Sequence, residues 1–286
     1  MEIVQKNSYY YLSHSFRKEG TIVNKKKYLG LEIPNNIEEQ KELFLRTCLQ
    51  EEAIKKIERI RKQFQKEWKK YPETVKKKIL LDLSIDFTYN TNAIEGSTIT
   101  LDETDDILKQ RIAPRKNIGD IQETINHSKT FLEVIHYKKP LSLTLLLTWH
   151  DNIFHDTKQD ISGQWRDYHV RVGMYKAPDW QDVENLMKEF ILWYNKNKKR
   201  IPPVELSARA HYKFEKIHPF GDGNGRIGRL LITHILKQEH YPFLTIEYKK
   251  RRQYYHALEK TEHEFVQYFI QTYIRAHKRY LEEQKK

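Results

Sequence analysis

The chain has few of the residues that cross-link or break a polypeptide: one cysteine, ten glycines and nine prolines in 286 residues. The single cysteine, Cys48, excludes a disulfide within the chain and a cysteine-rich metal site. Few glycines and prolines favour long helices with few tight turns. No stretch approaches eighteen apolar residues, and the opening MEIVQKNSYYYL lacks a signal-peptide core. The sequence therefore predicts a soluble, cytoplasmic protein that does not enter a membrane.

Positive charge is abundant instead, because 51 lysines and arginines face 39 acids and give a formal net charge of +12. Such a charge suits a nucleic acid, but lysines interspersed with acids are typical of solvated helix faces, which is the interpretation we favour. A nucleotide or phosphate ligand suits the same charge. Hydrophobic residues make up 38%, with 18 Tyr and 12 Phe, so a buried core is expected in one large domain or two modest ones.

Residue periodicity predicts a mainly α-helical protein with two small β-hairpins. The segments NSYYYLSHSFR and TIVNKKKYLG, joined around Gly20, are typical of a hairpin. Helices are predicted from Ile37 to about Tyr71 and again up to Gly96, with Thr100 or Asp102 beginning a short third helix.

A second hairpin is predicted after Gly163, among further helices. In GQWRDYHVRVGMYKAP, Tyr168, Val170 and Val172 alternate with polar residues, and Gly173 supplies a turn. The alternative is an edge hairpin that covers the core and has no other role.

The stretch KIHPFGDGNGRIGRLL, residues 216–231, holds four of the ten glycines within eight positions. No lysine follows them as a Walker loop requires, and the preceding segment has helical rather than strand spacing, which excludes a dinucleotide fingerprint. What remains is a glycine loop at the amino end of a helix, where exposed amides bind an anion.

Charged side chains complete this predicted anion site. Arg226 and Arg229 share a helix face and suit a di- or triphosphate. Asp222 fits as a ligand for Mg²⁺ between the phosphates, and His218 as a general base. The alternative is a helix–helix connector with incidental charges and a buried histidine.

The segment HPFGDGNGRIGR resembles the Fic family motif HPFx[D/E]GNGRxxR at every specified position. The resemblance covers about residues 79–275 and implies a Fic-type helical bundle with a β-hairpin called the flap. It divides the chain into an accessory hairpin and long helix (1–78), a helical segment (79–140), the Fic core (141–275) and a helix end (276–286).

Family members transfer AMP from ATP to a Ser, Thr or Tyr hydroxyl of a protein. By resemblance, His218 is the base, Phe220 anchors the loop, and Asp222 holds Mg²⁺. The nucleotide contacts implied in the loop are Asp222, Gly223, Asn224, Gly225, Arg226, Gly228 and Arg229. Further nucleotide contacts are implied at Val172, Gly173, Met174 and Tyr175 of the flap and at Tyr254 and Tyr255, although an aromatic pair on a helix is also typical of a core.

The segment TNAIEG resembles the family's inhibitory signature [S/T]xxxE[G/N] at Thr91, Glu95 and Gly96. A glutamate in the last turn of a helix faces the negative end of the dipole, so its partner is expected elsewhere. The resemblance implies a pair with Arg229 that blocks the γ-phosphate clamp. The alternatives are a solvated glutamate, or one that orients water to remove AMP from a modified target.

The sequence thus predicts an autoinhibited protein adenylyltransferase that uses ATP and Mg²⁺. Its expected partners are a target protein docked on the flap at 168–178, the protein itself as a substrate, and a second copy in a homodimer. The alternatives are a de-AMPylase, a transferase of another phosphorylated group, a nucleic-acid-binding regulator and a catalytically silent interaction module.

Overall fold

The structure is a computed structural model that describes residues 1–18 and 21–282, with the side chains of 16–23, 42 and 45–50 left out. The predicted turn at Gly20 and the side chain of Cys48 therefore lie outside the described residues. The chain divides into two compact units, Met1–Arg59 and Ile60–Lys286.

The first unit contains a three-stranded antiparallel sheet of β1 (Glu2–Lys6), β2 (Tyr9–Lys18) and β3 (Thr21–Gly30), in that order. The predicted pairing of β2 with β3 is confirmed, whereas β1 was not predicted because its five residues carry only a short apolar signal. Asn7, which tolerates a left-handed backbone, turns the chain between β1 and β2 at φ 56°. Leu12 and Phe44 form the small core of this unit.

The remaining regular structure of the described chain is almost wholly helical, as predicted. The α-helices are α1 (Ile37–Trp68), α2 (Glu73–Ile94), α3 (Leu101–Asp105), α4 (Ile118–His136), α5 (Leu143–Phe154), α6 (Val183–Asn197), α7 (Pro203–Ile217), α8 (Asn224–Gln238), α9 (Arg251–Glu259) and α10 (Glu262–Ala276). A π-helical turn, Asp106–Gln110, follows α3, and single 3₁₀ turns occur at Trp180–Asp182, Tyr248–Lys250 and Lys278–Tyr280.

The helix ends lie close to the proline, glycine and capping residues that predicted them. Helix α1 ends at Trp68, three residues earlier than predicted, and α2 begins directly after Pro72. Gly96, two residues beyond α2, has the left-handed φ of +97° that ends many helices. Thr100, rather than Asp102, caps α3 through a capping box with Glu103.

The second hairpin is much shorter than the predicted alternation, with β4 (Arg171–Val172) paired to β5 (Tyr175–Lys176). Tyr168 does not extend β4, because its carbonyl accepts a hydrogen bond from Arg166 and its hydroxyl packs against Gly221. These two contacts of Tyr168 thus take the place of strand pairing.

Helix α8 lies at the centre of the second unit, where every residue from Asn224 to Leu236 is buried. Apolar side chains of α2, α4, α5, α6 and α7 pack around it, among them Trp149, Phe154 and Phe214. The amino end of α8 is therefore held in place from several sides. No helix of the described chain, residues 1–18 and 21–282, is long and apolar enough to cross a bilayer.

Candidate active site

The glycine-rich stretch forms the loop between α7 and α8. His218 ends α7 with a left-handed φ of 52°, and Gly223 begins α8 with a φ of 76°. Between them, Phe220 is fully buried and its main chain is bonded on both sides by Asn224, whose Oδ1 accepts at 2.8 Å and whose Nδ2 donates at 2.8 Å. The loop is thus fixed by one buried ring and one side-chain amide.

Two glycines of the loop leave room for close neighbours. A methyl group on Gly223 would lie 2.4 Å from the Phe154 ring, in addition to its left-handed backbone. A methyl group on Gly225 would lie 2.2 Å from Oε1 of Glu95. The bare backbone therefore lets an aromatic ring and a carboxylate approach the amino end of α8.

His218 is presented as a neutral imidazole. Its Nδ1 lies 3.3 Å from the carbonyl oxygen of Glu215, so Nδ1 carries the proton and Nε2 keeps its lone pair. Burial lowers the pKa of His218, which keeps the ring uncharged near neutral pH. An imidazole in this state is suited to accept a proton.

Arg166 fixes the position of His218 and was not predicted as a site residue. This arginine is only 4% exposed, and its guanidinium donates to the carbonyls of His218 at 2.8 Å, Tyr168 at 2.9 Å and Pro178 at 2.6 Å. One planar group therefore ties both ends of the segment that carries β4 and β5 to the histidine.

His150 on α5 packs against the loop and was also not predicted as a site residue. Its ring stacks on Phe220 with centroids 3.9 Å apart. The amide of Gly163 donates to Nδ1 at 3.0 Å, so Nε2 donates to the carbonyl of Asp222 at 3.1 Å. Burial lowers the pKa of His150 to about 4, which leaves this ring neutral as well.

Arg226 lies in a ring of four alternating charges. It bonds Glu123 on α4 and lies 3.3 Å from Asp222, and Lys158 completes the ring at 2.6 Å from Asp222 and 3.1 Å from Glu123. Although partial burial opposes ionisation, Arg226 and Lys158 lower the pKa of Asp222 to about 2. Asp222 is therefore a carboxylate at every physiological pH, and neither Glu123 nor Lys158 was predicted.

Arg229 is buried and pairs with Glu95, as the resemblance implied. Nη2 of Arg229 lies 2.5 Å from Oε1 of Glu95 and donates to the carbonyl of Thr91 at 3.3 Å. Burial opposes the charge of Arg229, but Glu95 outweighs it and raises the arginine's pKa. The carboxylate thus lies beside the glycine backbone where an anion was expected.

The short hairpin lies next to this loop. Gly173 turns between β4 and β5 with a φ of 58°, and Met174 beside it is 95% exposed. The hydroxyl of Tyr175 donates to the carbonyl of Lys216 at 2.8 Å, which anchors the hairpin to α7. Val172 is exposed on the same hairpin. An extended segment could therefore pair along an edge that is fixed at its base.

The two tyrosines of α9 occupy different environments. Tyr254 is buried, its hydroxyl lies 2.7 Å from Nε2 of His211 and accepts from Arg229 at 3.5 Å. Tyr255 is 40% exposed and donates to the carbonyl of Ile94 at 2.9 Å. Of the pair, Tyr255 is the one partly open to solvent, whereas Tyr254 is buried in contact with Arg229.

Residues 140–236, which include this loop, match the family model described as Fic/DOC family. The chain carries a Fic domain. Two relatives named protein adenylyltransferase Fic are similar: one from Nematostella vectensis is 32% identical over 197 residues, and one from Drosophila grimshawi is 34% identical over 176 residues. These alignments cover 67% and 60% of this chain but only 46% and 36% of the relatives. The chain thus spans less than half the length of these relatives.

Solved structures share the fold. A Fic-domain-containing signalling protein from Bacteroides thetaiotaomicron matches with a TM-score of 0.68 and 24% identity, over 78% of this chain and 95% of that one. Fic-1 from C. elegans matches with a TM-score of 0.72 and 24% identity, over 88% and 78% of the two chains. The predicted Fic-type helical bundle is therefore confirmed.

The Fic domain offers a donor set that fits Mg²⁺ on a nucleotide. Asp222 is ionised and partly exposed, and it lies in a pocket of about 170 Å³ that Asn92, Ser97 and Asp120 also line. Mg²⁺ is commonly held by one or two carboxylates together with substrate phosphates. Among the described residues no cluster of three or more His, Cys, Asp or Glu side chains could hold a metal by itself.

Proposed function

We propose that the protein is an autoinhibited protein adenylyltransferase, which transfers AMP from ATP to a Ser, Thr or Tyr hydroxyl and releases pyrophosphate. The observation that carries the proposal is the convergence of His218, Asp222, Arg226 and Arg229 on the amino end of α8 in a Fic domain. The names of the relatives support the same activity.

In the proposed reaction, Nε2 of His218 takes the proton of the target hydroxyl. The hydroxyl oxygen then forms a bond to the α-phosphorus as the bond between that phosphorus and the β-phosphate oxygen breaks. The glycine backbone at Gly223 and Gly225 would shape the site for the phosphates, and the guanidinium of Arg226 would stabilise the charge that develops on them. Mg²⁺ held by Asp222 would neutralise phosphate charge when bound.

The inhibition is proposed to act through Arg229. Its guanidinium cannot bond Glu95 and clamp the γ-phosphate at once, and Glu95 also occupies the space beside Gly225. ATP bound in this state would have a misaligned α-phosphate. Movement of Glu95 away from Arg229 would restore the clamp, with Thr91 and Gly96 fixing the end of α2.

The remaining contacts with the nucleotide and the target are proposed from the positions of the residues. Val172, Gly173, Met174 and Tyr175 would contact the nucleotide at the edge of the flap, and Tyr255 would lie beside the base. A target segment would add as a strand at 168–178, where main-chain pairing demands no particular sequence. Self-modification, a homodimer and a cytoplasmic location remain predictions.

The test is transfer of label from α-labelled ATP with Mg²⁺ to cell lysate and to the protein itself, with labelled bands identified by mass spectrometry. We expect His218→Ala to abolish labelling, whereas His256→Ala should leave it unchanged because His256 is an exposed histidine on α9. Equal labelling by His218→Ala and the wild type, in the presence of bound ATP, would refute the proposed base.

The same loop could instead remove AMP from a modified target. Replacement of Glu95 distinguishes this activity from transfer, because it has opposite effects on the two. If Glu95 orients a water, Glu95→Gly abolishes removal; if it only blocks Arg229, the same variant accelerates transfer. A panel of labelled nucleotides together with a pre-modified target separates these activities and reveals transfer of any other phosphorylated group.

A further inference from the structure

Lys158 follows the end of α5 and contacts the carboxylates of Asp222 in the loop and Glu123 on α4. Its ammonium lies 2.6 Å from Oδ2 of Asp222 and 3.1 Å from Oε1 of Glu123. The Lys158 side chain crosses the face of the Phe154 ring, with Nζ 5.0 Å from the ring centroid. The backbone amide of Lys158 donates to the carbonyl of Phe154 at 2.8 Å. The position of this cation is therefore set by a helix end and an aromatic ring.

Both oxygens of the Asp222 carboxylate accept hydrogen bonds in this arrangement. Oδ1 accepts from the amide of Gly223 at 2.5 Å, and Oδ2 accepts from Lys158 and from Arg226 at 3.3 Å. A divalent ion that approached Oδ2 would meet two positive charges already in contact with it. Lys158 thus competes with a divalent ion for Oδ2 of Asp222.

We propose that Lys158 is a resident counter-ion, which occupies the metal position beside Asp222 until a nucleotide brings phosphate charge to the loop. This inference rests on the proposed function, because it concerns loading of the same site. Without nucleotide, Lys158 and Arg226 together balance the carboxylates of Asp222 and Glu123, and when nucleotide binds, phosphates and a divalent ion replace Lys158 in that balance.

Lys158 is able to leave this position, whereas Arg226 is not. The Lys158 side chain is 35% exposed and has a flexible four-carbon stem, so its ammonium can move into water. Arg226 is only 7% exposed and is held by Glu123, which keeps that carboxylate neutralised when Lys158 departs. The consequence is ordered loading, in which a free metal ion binds poorly and a metal–nucleotide complex binds well.

The test measures binding of Mn²⁺, which shares the oxygen ligands of Mg²⁺, by electron paramagnetic resonance. Wild type is compared with Lys158→Met, first without nucleotide and then with an ATP analogue that has a methylene bridge between the α- and β-phosphorus. Without nucleotide we expect Lys158→Met to bind Mn²⁺ at least about tenfold more tightly than wild type, a difference of about 1.4 kcal/mol. With the analogue bound, the two proteins should differ less than about twofold in affinity.

Two further variants make the comparison specific. Lys158→Arg should retain the weak binding of the wild type, because it keeps a cation between the two carboxylates. Lys188→Met removes an exposed lysine that pairs with Glu184 on α6 and should behave as wild type. Thermal unfolding of each variant confirms that the fold is intact.

Equal Mn²⁺ affinity of wild type and Lys158→Met without nucleotide would overturn the inference. A gain in Lys158→Met that persists undiminished with the analogue would also overturn it, because Lys158 would then never vacate the site. Failure of the proposed function has a different signature: the analogue would not raise the Mn²⁺ affinity of the wild type, and Asp222→Asn would change nothing in its presence.

Discussion

Replacement of Glu95 tests the proposed inhibition directly. Arg229 is only 2% exposed and its partner Glu95 is 26% exposed, so the pair is largely shielded from water. A hydrogen bond between charged groups contributes about 1.5–3 kcal/mol. If the brake consists of this contact, Glu95→Gly should raise the rate of transfer by about tenfold to about 150-fold, since each factor of ten corresponds to about 1.4 kcal/mol.

The same change should cost stability, because it leaves the Arg229 charge buried without its carboxylate. We expect a loss of about 1–3 kcal/mol, less than for a fully buried pair because Glu95 is partly exposed. Glu95→Gln, which keeps a hydrogen-bond acceptor but loses the charge, should give an intermediate rate. Glu184→Gln removes the acid of an exposed pair with Lys188 and should change neither quantity.

The assay follows self-labelling and labelling of lysate proteins with α-labelled ATP, together with thermal unfolding of each variant. The reasoning is refuted if Glu95→Gly and Glu95→Gln transfer AMP at the wild-type rate while binding ATP with unchanged affinity. A faster Glu184→Gln would also contradict it, because the effect would then not belong to Arg229.

Three other changes probe how the loop is held. Gly223→Ala should lower the free energy of unfolding by about 2–4 kcal/mol, because of the left-handed backbone and the contact with Phe154. A cost near zero in thermal unfolding would show that the Phe154 ring moves to make room. Arg166→Lys should reduce transfer by about ten- to a hundredfold with ATP affinity unchanged, since lysine cannot donate to three carbonyls in one plane; loss of nucleotide binding instead would assign it another role. Burial lowers the pKa of His218, so the acidic limb of the kcat/KM profile of Glu95→Gly should lie below the usual histidine value of about 6.5, with activity falling as the base gains a proton; a limb above pH 7 would contradict the neutral ring.

The sequence predicted those features whose determinants are close together along the chain. The glycine loop, its histidine and its arginines lie within one stretch, and the left-handed Gly96 ends α2 where its position indicated. The partner of Glu95 could not come from periodicity, because Arg229 lies 134 positions away. Only the resemblance to a family motif connected the two residues.

The supporting residues escaped sequence reasoning for a physical reason. Glu123 lies on α4, His150 on α5, and Lys158 and Arg166 in the connection from α5 to β4. Each acts through main-chain or charge contacts formed only in the folded state. Nothing local distinguishes a buried arginine in a polar alternation from an exposed one. The short β4 and β5 have the same origin, because Arg166 captures the carbonyl of Tyr168 that a longer strand would have paired.

The end of α2 is hydrogen-bonded to later parts of the chain, and these bonds determine how Glu95 can move away from Arg229. Asn90 on α2 accepts from the amide of Tyr248 at 2.8 Å, and the carbonyl of Ile94 accepts from Tyr255 at 2.9 Å, so the backbone on which Glu95 sits is fastened to two later segments. Displacing the helix would require local unfolding, on microseconds to seconds, whereas rotation of the Glu95 side chain about its own bonds leaves the helix in place. Whatever signal frees Arg229 therefore has only a few torsion angles to change.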